Sequence, residues 1–344
     1  MKAKTTVTAV ASLMSLTLCA TSAFAQEAAP AEAASNALLE LISDSKIELS
    51  GMFEFTASYF KQGDEKVSDF SLAEINLGFA AKLSDKLSAE IVLIYEDGNE
   101  DGVSVDSAIV TYQFSDELSF SAGRFTVPFG KFESEMLSDP LTLALGEISS
   151  DGIYATWKSG IVTVNIAAFD SAIVDSDTIE TVAASIEIAP EDGFAFGFSV
   201  VSDLGGGAMA DVINDTVGEG GSYSKAAGIS AFAKATFGIA TLSAEYVAAI
   251  DDMEITDAAG DTYAAKPQAW FAELALALCD DVTAAFRYEG SKEFLPEEMP
   301  ENIFGATVKY AIIENATVGL EYMFGKVKDG DDMHCVTANF VVEF

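Results

Sequence analysis

The sequence predicts an all-β chain, a transmembrane antiparallel up-and-down β-barrel of about sixteen strands, and three observations predict it. Beyond residue 46 apolar and polar residues alternate almost to the end, the period of a strand that shows a different environment to each face. Half of the composition is hydrophobic, yet past residue 25 no run of about 18 apolar residues suits a membrane helix. Tight turns and longer acidic connections take turns along the chain, as short periplasmic turns and long extracellular loops do in such barrels.

Residues 1–25 read as a signal peptide. Lys2 and Lys4 precede an uncharged stretch rich in Ala, Val, Leu and Thr, and Ala23-Phe24-Ala25 sets up cleavage near Ala25. Leu18, directly before Cys19, is too bulky for a lipoprotein site. Residues 26–45 are rich in Ala and Glu and read as a periplasmic linker or, through Leu38, Leu39, Leu41 and Ile42, a short helix. The barrel is expected over 46–344.

Strands are expected near 46–60, 70–83, 87–96, 103–115, 118–131, 152–158, 161–170 and 180–189, then 194–202, 225–237, 239–250, 266–278, 282–290, 302–312, 316–327 and 335–344. The count is even, which places both termini in the periplasm. In the first strand Phe53, Phe55, Ala57 and Tyr59 take one face, and Glu54, Thr56 and Ser58 the other. Aromatic residues fall at two levels, with Phe114, Phe120, Trp157 and Phe344 at one and Tyr59, Trp270, Tyr288 and Phe304 at the other, predicting two interfacial girdles. An open sheet edge would leave backbone groups unpaired in lipid, so first and last strands must pair. A barrel this wide leaves an aqueous channel unless something blocks it.

Acids number 55 against 18 Lys and Arg, a net charge of -37. Nucleic acid is excluded as a partner, and acidic runs such as Glu96 to Asp101 and Asp329 to Asp332 should face water. The strand phase points Glu48, Glu54, Glu74, Glu90, Glu187, Glu245, Glu273, Glu289 and Glu321 inward, against Lys82, Arg124, Lys158, Lys234, Arg287 and Lys309. An acidic lumen concentrates cations, so a cation-preferring pore is expected. The expected constriction sets Arg124, Arg287 and Lys309 against Glu133, Glu135, Asp139 and Glu147, with Lys131, Glu74 and Glu273 lining the pore. No enzyme is expected: His334, read as lying in the acidic loop before the last strand, stands alone and no serine motif accompanies it. Neither a cofactor nor a metal is expected, since Asp329-Gly330-Asp331-Asp332 lacks the spacing of a calcium loop. Cys279 and Cys335 fall at opposite ends of the barrel, which argues against a disulfide.

The strand from Leu118 changes phase. Leu118, Phe120 and Ala122 point outward, then Phe125, Val127 and Phe129 do, which predicts a bulge near Gly123 and aims Arg124, Thr126 and Lys131 at the lumen. The connection that follows, 133–151, carries Met136-Leu137 and Leu141 to Leu145, too apolar to remain in water. An inward-folding loop after strand 5 is therefore expected, similar to sixteen-stranded general porins, where such a loop narrows the channel. Gly123 to Lys131, followed by Ser138-Asp139-Pro140-Leu141-Thr142 and Leu145-Gly146-Glu147, more closely resembles the LbtU-like siderophore porin family. That resemblance implies siderophore-linked iron uptake through a barrel without a plug, with a ferric siderophore as partner. Likeness to bacterial outer-membrane proteins makes Phe344 an address for the barrel-assembly machinery. The expected function is passive diffusion of small hydrophilic solutes across an outer membrane of lipid and lipopolysaccharide. The alternative is a structural or adhesive barrel whose acidic loops bind partners. A homotrimer stays open, because lipid-facing and subunit-facing apolar residues look alike.

Overall fold

A computed structural model describes residues 47–99, 102–170, 173, 179–191, 193–207, 209–218, 220–293, 300–327 and 330–344. The expected signal peptide and the linker at 26–45 lie outside the described residues. Sixteen strands close a barrel: β1 (Ile47–Gln62), β2 (Glu65–Lys82), β3 (Leu87–Glu96), β4 (Val103–Gln113), β5 (Leu118–Thr126), β6 (Ser149–Ser159), β7 (Val162–Phe169), β8 (Thr181–Glu191), β9 (Phe194–Val201), β11 (Gly228–Phe237), β12 (Ala240–Ala249), β15 (Gln268–Cys279), β16 (Val282–Lys292), β17 (Asn302–Ile313), β18 (Ala316–Lys326) and β19 (Met333–Glu343). Every pairing is antiparallel, and β1 with β19 closes the ring. Three short strands, β10 (Ser222–Ser224), β13 (Met253–Thr256) and β14 (Thr262–Ala265), form a separate sheet at the long-loop end.

The two-residue period sets the faces. Phe79, Val110, Phe120, Ile153, Phe196, Phe286 and Leu320 are exposed on the outer face, while Ser121, Glu245, Glu273, Arg287 and Glu321, in the alternate phase, are buried on the inner one. Such an outer face has no place in water and suits lipid. Phe114, Phe120, Trp157 and Phe344, expected near the short-turn ends, are exposed, and so are Phe194, Phe237 and Tyr310. Phe114 meets Phe120, and Phe194 meets Phe237, edge to face, the geometry ring quadrupoles favour.

Several expectations are corrected. β5 ends at Thr126, not at 131, and the ladder from β5 to β6 runs from Leu118 opposite Trp157 to Thr126 opposite Ser149 without a shift. Gly123 adopts φ 134°, close against the Ala108 carbonyl, and absorbs the local distortion without an extra residue. The phase therefore carries on, and Phe125, Val127 and Phe129 are buried, not outward. Register shifts fall instead between β1 and β2 at Glu54/Phe55 and between β3 and β4 at Val92/Leu93, and near the turns joining β8 to β9, β15 to β16 and β17 to β18. β2 begins at Glu65, so only Gly63 and Asp64 separate it from β1. His334 lies within β19, opposite Lys61 and Phe324, and its Nδ1 is 2.8 Å from the Tyr322 hydroxyl. The connections 203–224 and 251–265 are not plain loops. They carry a helix, Ala210–Val217, and the three-stranded sheet, and Leu204, Met209, Ile213, Met253 and Ile255 bury a core between them.

The seam between chain ends rests on a small residue. Gly51 and Phe344 exchange backbone hydrogen bonds of 2.9 and 3.0 Å, and the Phe344 ring, stacked on Phe53, occupies the space a Cβ at Gly51 would need. Gly51→Val is expected to displace that ring at a cost of about 1–3 kcal/mol. The check is the fraction of refolded protein that keeps its compact electrophoretic mobility in detergent without heating, which should fall relative to the wild type.

Candidate functional site

The segment between β5 and β6 has almost no ladder of its own, so its backbone donors must find partners elsewhere. They find carboxylates on the inner face of strands β12 to β18. Glu245 of β12 accepts the backbone N–H groups of Lys131 and Phe132, each at 2.8 Å, and the Ser230 hydroxyl at 2.9 Å. Glu273 of β15 accepts from the Glu135 backbone at 2.8 Å and the Ser134 hydroxyl at 2.6 Å. Glu321 of β18 accepts from the backbone of Leu137 at 2.7 Å and of Ser138 at 3.3 Å. Glu289 of β16 accepts from Leu141 at 2.8 Å.

Leu141 opens a six-residue helix, α1 (Leu141–Gly146), whose N-cap is Pro140 and has no side-chain cap. Free N–H groups at a helix start need an acceptor, and a carboxylate there is favoured by the helix dipole. Glu289 supplies it from another strand. Apolar packing completes the attachment, as Leu141, Leu145 and Ile148 join Phe125, Val127 and Phe129 in one buried cluster.

Arg287 of β16 ties the segment from the same face. Its two terminal nitrogens donate to the Ser134 and Ser138 hydroxyls, to the Ser138 and Asp139 carbonyls, and to Glu289, at 2.8 to 3.1 Å. The Arg287 and Glu289 side chains are almost fully buried, so each neutralises a charge that would otherwise be costly.

Lys309, Lys131 and Lys234 are also paired. Lys309 of β17 meets Glu135 at 2.5 Å. Lys131 lies 3.2 Å from both Glu133 and Glu187, and Lys234 of β11 lies 2.8 Å from Glu133. Burial pushes the Glu133 carboxyl up, but the Lys234 hydrogen bond and the charges of Lys131 and Lys234 outweigh it and hold it below the usual range. Burial likewise works against the Lys131 charge, and the charges of Glu133 and Glu187 and their hydrogen bonds outweigh it, so its ammonium titrates above the usual lysine range.

Arg124 does not join this group. It stands opposite Ala108 on β4 and Asp151 on β6, in the phase of Ala122 and Ile153, and its buried Nε has no hydrogen-bond partner among the described residues. Thr126 shares that phase and is exposed. Asp139 and Glu147 form a different pair of surroundings. Burial raises the Asp139 carboxyl, the Arg287 charge lowers it and Glu321 raises it. Burial also raises Glu147, reinforced by the charges of Asp139, Asp106 and Glu96. Glu74 of β2, hydrogen-bonded by Asn76 at 2.5 Å, lies within electrostatic reach of Glu54, Glu96 and Asp139.

Sequence reasoning placed Glu245, Glu289 and Glu321 inward but gave them no task beyond the channel wall. Their partners are backbone amides more than a hundred residues away. An inward glutamate with no base in register is the one signal that hinted at such a role. Arg287→Ala is expected to leave Glu289 buried and unpaired, a loss of about 3–5 kcal/mol. Urea unfolding of the refolded protein and protease cleavage between 131 and 141 are the readouts, and both should show the segment loosened.

A family model described as Gram-negative porin matches residues 9–333. Among solved structures, the outer membrane channel DcaP of Acinetobacter baumannii is similar with a TM-score of 0.63 at 12% identity, covering 88% of this chain and 98% of that one. An anion-selective porin from Comamonas acidovorans gives 0.62 at 12% identity, with 88% and 100% covered. OmpF of Salmonella typhi, in complex with daunomycin, gives 0.63 at 15% identity, with 87% and 98% covered. At such identities the likeness speaks for the fold alone. The UPF0422 protein lpp3030 of Legionella pneumophila strain Paris is 23% identical over 312 residues, 80% of this chain, and the chain spans 58% of that relative's length. With the family model matched through residues 9–333 and the closed barrel of sixteen strands in place, this chain belongs to the Gram-negative porins, a family of outer-membrane channels.

Proposed function

We propose that the protein is an outer-membrane channel for passive diffusion of small hydrophilic solutes, that it prefers cations, and that segment 127–148 folds into the lumen and narrows it. Export by cleavage near Ala25 is part of the same reading. One observation carries the cation preference. Arg287, Lys131, Lys234 and Lys309 are all engaged in ion pairs at the segment. Asp139, whose backbone carbonyl accepts from Arg287, and Glu147 approach Glu74, Glu96 and Asp106, and among the described residues no ion pair joins any of these acids to a base.

Segment contacts support the constriction. β5 lies between β4 and β6, whereas the carboxylates that hold the segment stand on β12, β15, β16 and β18. Reaching their inner faces takes the chain across the barrel. A gap bordered by carboxylates in a low-dielectric wall attracts cations and repels anions. The likeness of 123–131 and 138–147 to siderophore porins makes a ferric siderophore the specific solute to try first.

Planar bilayers holding the refolded protein test the reading through the reversal potential in a potassium chloride gradient. Potassium is expected to permeate several-fold better than chloride, and Asp139→Asn with Glu147→Gln should cut that ratio. Both carboxyls titrate above the usual range, so each loses its charge earlier as pH falls. Cation preference should therefore begin to fade at a pH above the ordinary carboxylate range of about 4. Anion preference, or equal permeation at neutral pH, would refute the reading; concentration-dependent block by a ferric siderophore would add specific uptake to it.

A further inference from the structure

We infer that the solutes this channel favours are amphipathic organic cations, an ammonium group carried on an apolar body, held against the inner wall of β1 to β4. The inference rests on the proposed cation preference and gives it a substrate class.

Strand register supplies the polar half. Glu54 of β1 stands directly opposite Glu74 of β2, and Glu74 stands directly opposite Glu96 of β3. Three carboxylates thus cross three neighbouring strands in one row. Like charges set directly opposite each other destabilise a sheet, and no base is within ion-pair distance of any of them among the described residues. The hydrogen bonds they accept are neutral, from Asn339 to Glu54 at 2.8 Å and from Asn76 to Glu74 at 2.5 Å. Both amides leave a buried oxygen, Asn76 Oδ1 and Asn339 Oδ1, without a donor. An ammonium brings the positive charge and the N–H donors that this row lacks.

The next rows supply the apolar half. Met52 stands opposite Asn76, which stands opposite Ile94; Ser50 stands opposite Gly78, which stands opposite Val92. Ile109 of β4 faces Glu90, diagonal to Val92. Exposed Leu49, Phe79, Val105 and Val110 hold the outer phase of these strands, so Met52, Val92, Ile94 and Ile109 lie on the inner one, each half-buried. The Val92 methyl and the Ser50 hydroxyl both approach the inner side of Gly78, consistent with that phase. A channel wall is expected to be polar on its inner face. Here four apolar side chains interrupt it, beginning one inward step, about 7 Å, from the carboxylate row. An inorganic cation gains nothing from them. A solute with both an ammonium and apolar surface gains from the row and the strip together.

The test uses the full refolded protein in planar bilayers and reads the concentration of organic cation that halves the potassium current. Phenethylammonium is expected to block at a concentration about tenfold lower than methylammonium, and the n-alkylammonium series should block more tightly with each added carbon. Val92→Thr with Ile94→Thr should remove most of that difference. Glu54→Gln with Glu74→Gln should weaken both ammonium ions alike. Equal block by methylammonium and phenethylammonium in a channel that still prefers potassium to chloride would overturn this inference and leave the proposed function standing. Should the threonine variant fail to refold, the wild-type alkylammonium series decides alone, and a flat series overturns the inference.

Discussion

Four glutamates on the inner wall, Glu245, Glu273, Glu289 and Glu321, hold six backbone N–H groups of a segment that belongs to no strand. A backbone donor removed from water without an acceptor costs free energy, and a carboxylate acceptor gives a stronger bond than a carbonyl. The dependence runs both ways. The carboxylates are buried at 4% exposure or less and need those donors, with Arg287 at the centre, to remain inside the barrel at all. Wall and segment stabilise each other, and neither arrangement makes physical sense alone.

The ion pairs are spread unevenly over the strands of the wall. On β11, β16 and β17, Lys234, Arg287 and Lys309 are engaged in ion pairs with the segment or with the wall. On β1 and β2, Glu54 and Glu74 accept from the Asn339 and Asn76 amides. Charge asymmetry of that kind does not follow from the net charge of -37, most of which is compatible with solvated loops. It follows from which acids the segment leaves without a base.

The barrel itself was legible because period-2 alternation survives every strand, and all sixteen expected strands are present in order, from Ile47 to Glu343. What alternation cannot do is say what an apolar face meets. Phe125, Val127 and Phe129 alternate as lipid-facing residues do, yet they pack against Leu141, Leu145 and Ile148. The phase was read as a bulge when it was the start of a second, internal apolar surface. β10, β13 and β14 are three or four residues long, too short for a periodic signal to stand out within acidic connections. Of the candidate site, Arg287, Lys309 and Glu273 lie within strands, where alternation assigns a face, whereas Glu135 lies in the segment, where no period does. Arg124 was misplaced with the bulge, and the link from Glu245 to Lys131 spans 114 residues of sequence, which no local pattern encodes.

Hydrogen exchange resolved to single amides in the refolded protein addresses the shared burial of wall and segment most directly. The amides of Lys131, Phe132, Glu135, Leu137 and Leu141, though outside any strand, should exchange slowly and lose that protection together when Arg287 is replaced. Exchange at those positions as fast as in the exposed turn at 257–261 would contradict the attachment on which the rest is built.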